Sequence, residues 1–258
     1  MDLSQARHAF ITGGASGIGL AIGDALARRG LRVTLADVDQ PTLQEVLAGR
    51  SAQYRGQVLD TRDREGWARA KTEAEAAFGP VDVLVNNAGI GPDGRPFADM
   101  DPVSFDRIIG INLVGVFNGV SAFAGAMRER GRGHIVNTSS TAGLTFSPRG
   151  AGAYTIAKHG VVSMSETLRV EMAPHGVGVS VLCPGLVATN LPRSTARLSG
   201  VGDPDAAMPD MSIDPAVVGE LVADAIGKDL PYILTHPEYW PAVKERQSAV
   251  EAAFHTGG

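Results

Sequence analysis

The opening of the chain limits its fold more than any other stretch. His8-Ala9-Phe10-Ile11-Thr12 reads as a short buried strand, which breaks into Gly13-Gly14-Ala15-Ser16-Gly17-Ile18-Gly19 before a helix from Leu20 to Arg29 that Gly30 stops. Strand, glycine turn and helix in that order leave backbone N–H groups unpaired at a helix start, where the helix dipole adds to their pull on a pyrophosphate. Glycines let the phosphates approach the backbone. The spacing is glycine, three residues, glycine, one residue, glycine, rather than GxGxxG. Gly13, Ser16, Gly17, Ile18 and Gly19 are therefore candidate cofactor-binding residues, the alternative being a tight turn packed without ligand.

The alternation continues. A second strand, Arg32 to Ala36, ends at Asp37-Val38-Asp39. A carboxylate about 20 residues past the glycines is placed to accept hydrogen bonds from an adenosine ribose and to repel a 2′-phosphate, which favours NAD over NADP. No Arg or Lys lies inside the turn or just after Asp37 to offset that repulsion. Asp39 instead fits a helix cap, with Pro41 in the first turn. Tyr54 to Leu59 is a third strand, followed by Asp60-Thr61 and a polar helix from about Asp63 to Phe78. Asp60, on the same sheet edge, is placed either toward an adenine, with Thr61 beside it, or as a cap. Val81 to Val85 is the apolar run of a central parallel strand, and it ends in Asn86-Asn87-Ala88-Gly89, small enough to leave room for a cofactor.

A long helical region runs from about Pro102 to Arg130, with Asn112 interrupting the otherwise apolar stretch Ile108 to Val114; a buried amide there must tie down backbone or hold water. His134 to Thr138 is a fifth strand and delivers Ser139-Ser140; a turn-rich loop, Gly143 to Gly152, then leads into the helix carrying Tyr154. Val177 to Leu182 is a sixth strand, a helix runs from Ile213 to Lys228, and Tyr232 to Thr235 is a last short strand before a polar helix from Glu238 to Phe254. With no internal repeat or linker, the expectation is one α/β domain over residues 1–258, a Rossmann-like doubly wound parallel sheet of about seven strands with helices on both faces.

Composition narrows the partners. A formal net charge of −5 with no cluster of Lys and Arg gives no footprint for nucleic acid or an anionic membrane, so a small molecule is favoured. Cys183 is the only cysteine, which rules out an intrachain disulfide and suits a core thiol. Met1 to Arg7 is polar and no run of about 18 apolar residues occurs, so a cytoplasmic protein is expected. The six histidines form no ligand pair at helical spacing, and no metal is expected.

In Ala153-Tyr154-Thr155-Ile156-Ala157-Lys158, helical spacing sets the phenol and the ammonium one turn apart on one face. A free phenol has a pKa of about 10, so about one molecule in a thousand is phenolate at neutral pH. An ammonium about 4 Å away, at an effective dielectric of about 20, is worth roughly 4 kcal/mol, or about three pKa units. Lys158 is thus expected to turn Tyr154 into a working acid-base, although such pairs also arise by chance on many helices.

Thr12-Gly13, Gly17, Gly19, Asn86 to Gly89, Asn112, Ser140, Tyr154, Lys158 and Pro184-Gly185, taken in order, resemble the short-chain dehydrogenase/reductase family, from Phe10 to about Thr189 for the motifs. The resemblance implies a seven-stranded parallel sheet, a nicotinamide cofactor and a homotetramer or homodimer. It implies Tyr154 as the acid-base, Lys158 as the group that lowers its pKa and holds the nicotinamide ribose, and Ser140 as the hydroxyl that orients the substrate oxygen. Asn112 would support a proton relay through water, Asn87, Ala88 and Gly89 would wall the adenosine ribose, and Val187 and Thr189 would contact the carboxamide. The family commonly has its serine thirteen residues before the tyrosine, whereas Ser140 precedes Tyr154 by fourteen. A one-residue insertion in the Gly143 to Gly152 loop accounts for this more simply than Ser139 or Thr141 taking over.

The expected reaction is hydride exchange between NAD(H) and a secondary alcohol or ketone. A catalytically silent NAD-binding sensor or scaffold is the rival, but it would not need Tyr154, Lys158, Ser140 and Asn112 together. Leu186 to Met211 holds three prolines and no clear periodicity, so a substrate lid is expected over about residues 186–212. Leu186, Leu191, Leu198, Met208 and Met211, with Leu144 and Phe146, favour an apolar or aromatic alcohol. Arg193 and Arg197 are placed to pair with an acidic substrate or to be solvated.

Overall fold

A computed structural model of the protein describes residues 1–146, 149–200 and 212–255. Seven strands, β1 (His8–Thr12), β2 (Arg32–Asp37), β3 (Tyr54–Val58), β4 (Val83–Asn86), β5 (Gly133–Thr138), β6 (Val177–Cys183) and β7 (Tyr232–Leu234), pair in parallel in the order β3-β2-β1-β4-β5-β6-β7. The helices are α1 (Gly17–Arg28), α2 (Gln40–Leu47), α3 (Arg64–Phe78), α4 (Pro102–Ile109), α5 (Gly115–Arg130), α6 (Gly152–Met172), α7 (Leu191–Ser199), α8 (Pro215–Lys228) and α9 (Trp240–His255).

Side chains alternate across a strand with a period of two, and here both faces need cover. Ala9, Ile11, Val33, Leu35, Val83 and Val85 pack on one face against Ile22 and Leu26 of α1 and Val218, Val222 and Ile226 of α8. Phe10, Leu84, Ile135 and Val179 point the other way, against Trp67 of α3, Phe123 and Met127 of α5 and Leu168 of α6. The strand order reverses between β1 and β4, and in an open parallel sheet that reversal opens a crevice beyond the carboxyl ends of the strands. The glycine turn follows β1 and Asn87-Ala88-Gly89 follows β4, so both flank that crevice.

Two segments depart from the sequence reading. The helical run Pro102–Arg130 is long and apolar enough by composition to cross a membrane, yet half of its most apolar window is buried inside the protein. It also breaks into α4, a π-helical turn over Gly110–Val114 and α5. The second departure is α7, a helix inside the segment expected to lack regular structure.

Candidate active site

The turn after β1 closes on itself because of its glycines. Gly13 (φ +64°) and Gly17 (φ +53°) hold left-handed backbone. A Cβ on Gly13 would lie 2.9 Å from Asn87 Nδ2, and one on Gly19 would lie 2.2 Å from the Gly13 carbonyl. Ser16 caps α1 by position, but its side chain makes no capping bond, so among the described residues the first N–H groups of α1 lack that partner. Thr12 Oγ1 accepts from the backbone N–H groups of Asn87 (2.9 Å) and Ala88 (3.1 Å), tying β1 to the loop after β4.

The carboxylates divide by their partners. Asp37 Oδ2 accepts from Ala15 N at 3.1 Å and its Oδ1 from Asp39 N at 3.0 Å. Asp39 Oδ1 caps α2 by accepting from Thr42 N. Asp60 grips Arg62, with Nη2 to Oδ2 at 2.6 Å and Nε to Oδ1 at 3.0 Å, and the hydrogen-bonded guanidinium holds its carboxyl below the usual range. The N-cap of α3 is Asp63, so Asp60 is not a cap. Thr61 is buried, and its carbonyl accepts from Trp67 Nε1 at 2.9 Å and Asn118 Nδ2 at 3.0 Å.

Lys158 is buried under the cleft, where its Nζ donates to the Thr138 carbonyl at 3.0 Å and lies 5.5 Å from the centre of the Tyr154 ring. Burial pulls its ammonium down to about 8. Tyr154 keeps some surface open, but the protein crowded around it pushes the phenol up, and the Ser140 hydroxyl beside it offsets part of that rise. This corrects the expected acidification by Lys158. The ammonium is aimed at a main-chain carbonyl, and burial, not Lys158, is the largest influence on the phenol. Ser139 is spent on the Lys158 carbonyl at 2.7 Å, whereas Ser140 Oγ accepts from Ala142 N at 3.2 Å and remains beside the phenol. The fourteen-residue spacing therefore leaves Ser140 next to Tyr154; residues 147–148 of the intervening loop lie outside the described residues.

Asn112 resolves the choice the sequence left open. Its Oδ1 accepts from Ile90 N at 2.9 Å and its Nδ2 donates to Ile90 O at 3.0 Å, so the amide ties down the loop after β4. Each of its two polar atoms makes one bond there, which gives the amide the backbone-tying role of the two the sequence left open.

A cleft of about 170 Å³ gathers Gly13, Ser16, Ile18, Asp37, Asp60, Thr61, Asn87, Ala88, Gly89, Tyr154, Lys158 and Thr189. Other expected residues stand off it. A Cβ on Gly17 would lie 3.0 Å from Thr189, Gly19 packs on Gly13, and Val187 is buried in a bridge with Ile213. Leu144 packs with Val161 and Val162 under α6, and Phe146 is exposed. Met208 and Met211 lie outside the described residues. The sequence reading missed Val38, Leu59, Arg62, Ile90, Ile111, Thr138 and Ser194 as lining residues. Leu59 and Thr138 carried a usable signal, since each stands at or just past a strand end facing the crevice. Arg197 pairs with Asp39 Oδ2 at 2.5 Å, a partner with no local signature.

Cys183 is buried, and burial pushes its thiol up to about 12. Among the described residues no three His, Cys, Asp or Glu side chains are grouped to hold a metal ion.

Known proteins are similar to this chain in sequence and in fold. The sequence profile of a family described as short chain dehydrogenase matches residues 7–197. The oxidoreductase UcpA of Escherichia coli is 35% identical over 88% of this chain and 90% of its own length. A probable oxidoreductase of Mycobacterium tuberculosis, EphD, is also 35% identical over 88% of this chain, which spans only 40% of that relative's length. The crystal structure of a short chain dehydrogenase/reductase from Burkholderia phymatum in complex with NAD superposes with a TM-score of 0.86 at 32% identity, over 98% of this chain and 97% of that one.

Proposed function

The chain belongs to the short-chain dehydrogenase/reductase family, and from that premise we propose that it is an NAD-dependent oxidoreductase exchanging hydride between NAD(H) and a secondary alcohol or its ketone. The observation that carries this reading is the meeting of Tyr154 and Lys158 with the glycine turn and Asp37 in one cleft beyond the strand ends. A nicotinamide dinucleotide suits the groups present. The uncapped start of α1 and the glycine turn offer N–H donors for an anionic diphosphate, and Asp37 offers an acceptor for ribose hydroxyls. Asp60 and Thr61 stand where the adenine end would lie, and Asn87, Ala88 and Gly89 supply a wall without bulk. When bound, the nicotinamide supplies the hydride acceptor or donor.

Tyr154 moves the proton. Held protonated by burial, its phenol donates to the substrate oxygen as a ketone is reduced, and in the reverse direction its phenolate takes the alcohol proton. Oxidation should therefore quicken as pH rises above neutrality. Ser140, beside the phenol, shares the hydrogen bond to the substrate oxygen and holds it in line with Tyr154. Lys158, still mainly charged at neutral pH, favours the phenolate once it forms and sits near enough to the cleft to bond a ribose hydroxyl.

Ile90, Ile111, Leu191 and Leu198 line the cleft and favour an apolar or aromatic alcohol. Arg197, placed by the sequence to meet an acidic substrate or solvent, is paired with Asp39. The test is Tyr154→Phe assayed with NAD and a panel of alcohols. NADH binding should stay close to wild type, while turnover falls a hundredfold or more and the rise of oxidation with pH disappears. Turnover that survived the substitution would refute the assignment.

A further inference from the structure

Resting on the nucleotide-binding reading above, we propose that Arg197 is a positioning residue whose ion pair with Asp39 latches α7 across the adenosine end of the cleft and limits how fast the nucleotide exchanges. The α7 helix touches both halves of the sheet. On the β4 side, Gly91 N donates to the buried Thr195 Oγ1 at 2.8 Å, Arg107 of α4 donates to the Ser199 carbonyl at 3.1 Å, and Leu198 packs on the buried cluster that holds Ile90 and Ile108. On the β2 side stands the Arg197 Nη1 to Asp39 Oδ2 pair at 2.5 Å. Asp39 in turn caps α2 and donates its N–H to Asp37, so the latch closes beside the carboxylate assigned to the ribose.

The size of the closed cleft makes the latch consequential. At about 170 Å³ it falls below the roughly 300–1,000 Å³ of sites for drug-sized ligands, and a dinucleotide is larger than most of those. The Arg197 end of α7 must therefore leave α2 for a nucleotide to pass, while Thr195 and Leu198 keep the helix hinged on the far rim. The pair is partly solvated, with side-chain exposures of 45% for Arg197 and 24% for Asp39. An ion pair of that kind is worth about a two- to fivefold change in an equilibrium or rate, and salt screens it.

The experiment measures NADH release from the full chain by stopped-flow fluorescence, with excess NAD as the displacing ligand. Alongside it, amide hydrogen exchange is followed across Leu191–Ser199 in the nucleotide-free protein. Asp39→Asn keeps a capping acceptor for α2 and, like Arg197→Gln, should speed release about two- to fivefold and hasten exchange. The double variant should do no more than either single one, and high salt should speed release from the wild type but not from the variants. Wild-type release and exchange in both single variants, or effects that multiply in the double variant, would overturn the latch while leaving the NAD reading intact. A wild-type chain that bound no NADH would overturn both.

Discussion

Asp37 is held at both oxygens by backbone N–H groups, from Ala15 and Asp39, so its charge stays at one point of the cleft whether or not a ligand is there. That geometry bears on cofactor choice. A like charge about 4 Å away is worth from about 1 kcal/mol in bulk water to about 4 kcal/mol at an effective dielectric of about 20. Asp37→Ala should therefore lower the ratio of kcat/KM for NAD over NADP by about fivefold or more, read from steady-state rates with each cofactor. An unchanged ratio would remove Asp37 from the ribose. The carboxylate was legible in the sequence because its meaning follows from its place at a strand end. The state of the Tyr154 phenol was not, because desolvation depends on every element packed around it.

Among the elements, the π turn Gly110–Val114 aims the Asn112 side chain at Ile90, whose main chain leads from β4 into the cleft wall. The extra residue per turn of a π-helix recurs at functional sites because it redirects a side chain a regular helix would place elsewhere. Asn112→Ala strands a buried N–H and a buried C=O of Ile90, each worth about 1–3 kcal/mol. The expected loss is about 2–6 kcal/mol, measured as a lower urea midpoint, and a wild-type midpoint would show that water or neighbours satisfy Ile90 instead. The buried amide stood out in the sequence; its partner, supplied by the loop after β4, did not. The α7 helix, by contrast, announced itself and was passed over. Asn190 precedes it, Pro192 lies in its first turn, Leu191, Thr195 and Leu198 share a face, and Gly200 ends it at φ +67°. Three prolines in the surrounding segment masked a pattern only nine residues long.

At the scale of the molecule, the sheet buries two neutral histidines in its strands. His8 Nδ1 donates to the Gly79 carbonyl at 2.8 Å, leaving Nε2 to accept from Thr34 Oγ1. Ser180 Oγ gives its proton to the Leu230 carbonyl at 2.5 Å and so accepts from His134 Nε2. Burial lowers the pKa of both, that of His134 to about 4. In the unfolded chain these imidazoles protonate as pH falls through about 6.5, while folded His134 stays neutral until about 4. Below pH 6.5 the unfolded state thus binds more protons, and stability falls with falling pH, by at most about 1.4 kcal/mol per pH unit for each histidine. Urea midpoints taken between pH 7 and 5 should decline, and less steeply in His134→Gln; a flat profile would mean that the imidazoles titrate alike in both states.

The order of strands and helices, the glycine turn, the carboxylate after β2 and the pairing of Tyr154 with Lys158 on one helix were all present in the sequence. Each follows from local rules: side-chain period, turn chemistry, helical spacing and the handedness that orders a parallel sheet. Only the tertiary structure decided that Lys158 turns to Thr138, that Asn112 spends itself on Ile90 and that Arg197 closes on Asp39. Those outcomes depend on burial and on partners brought together from distant parts of the chain, and a linear pattern encodes neither.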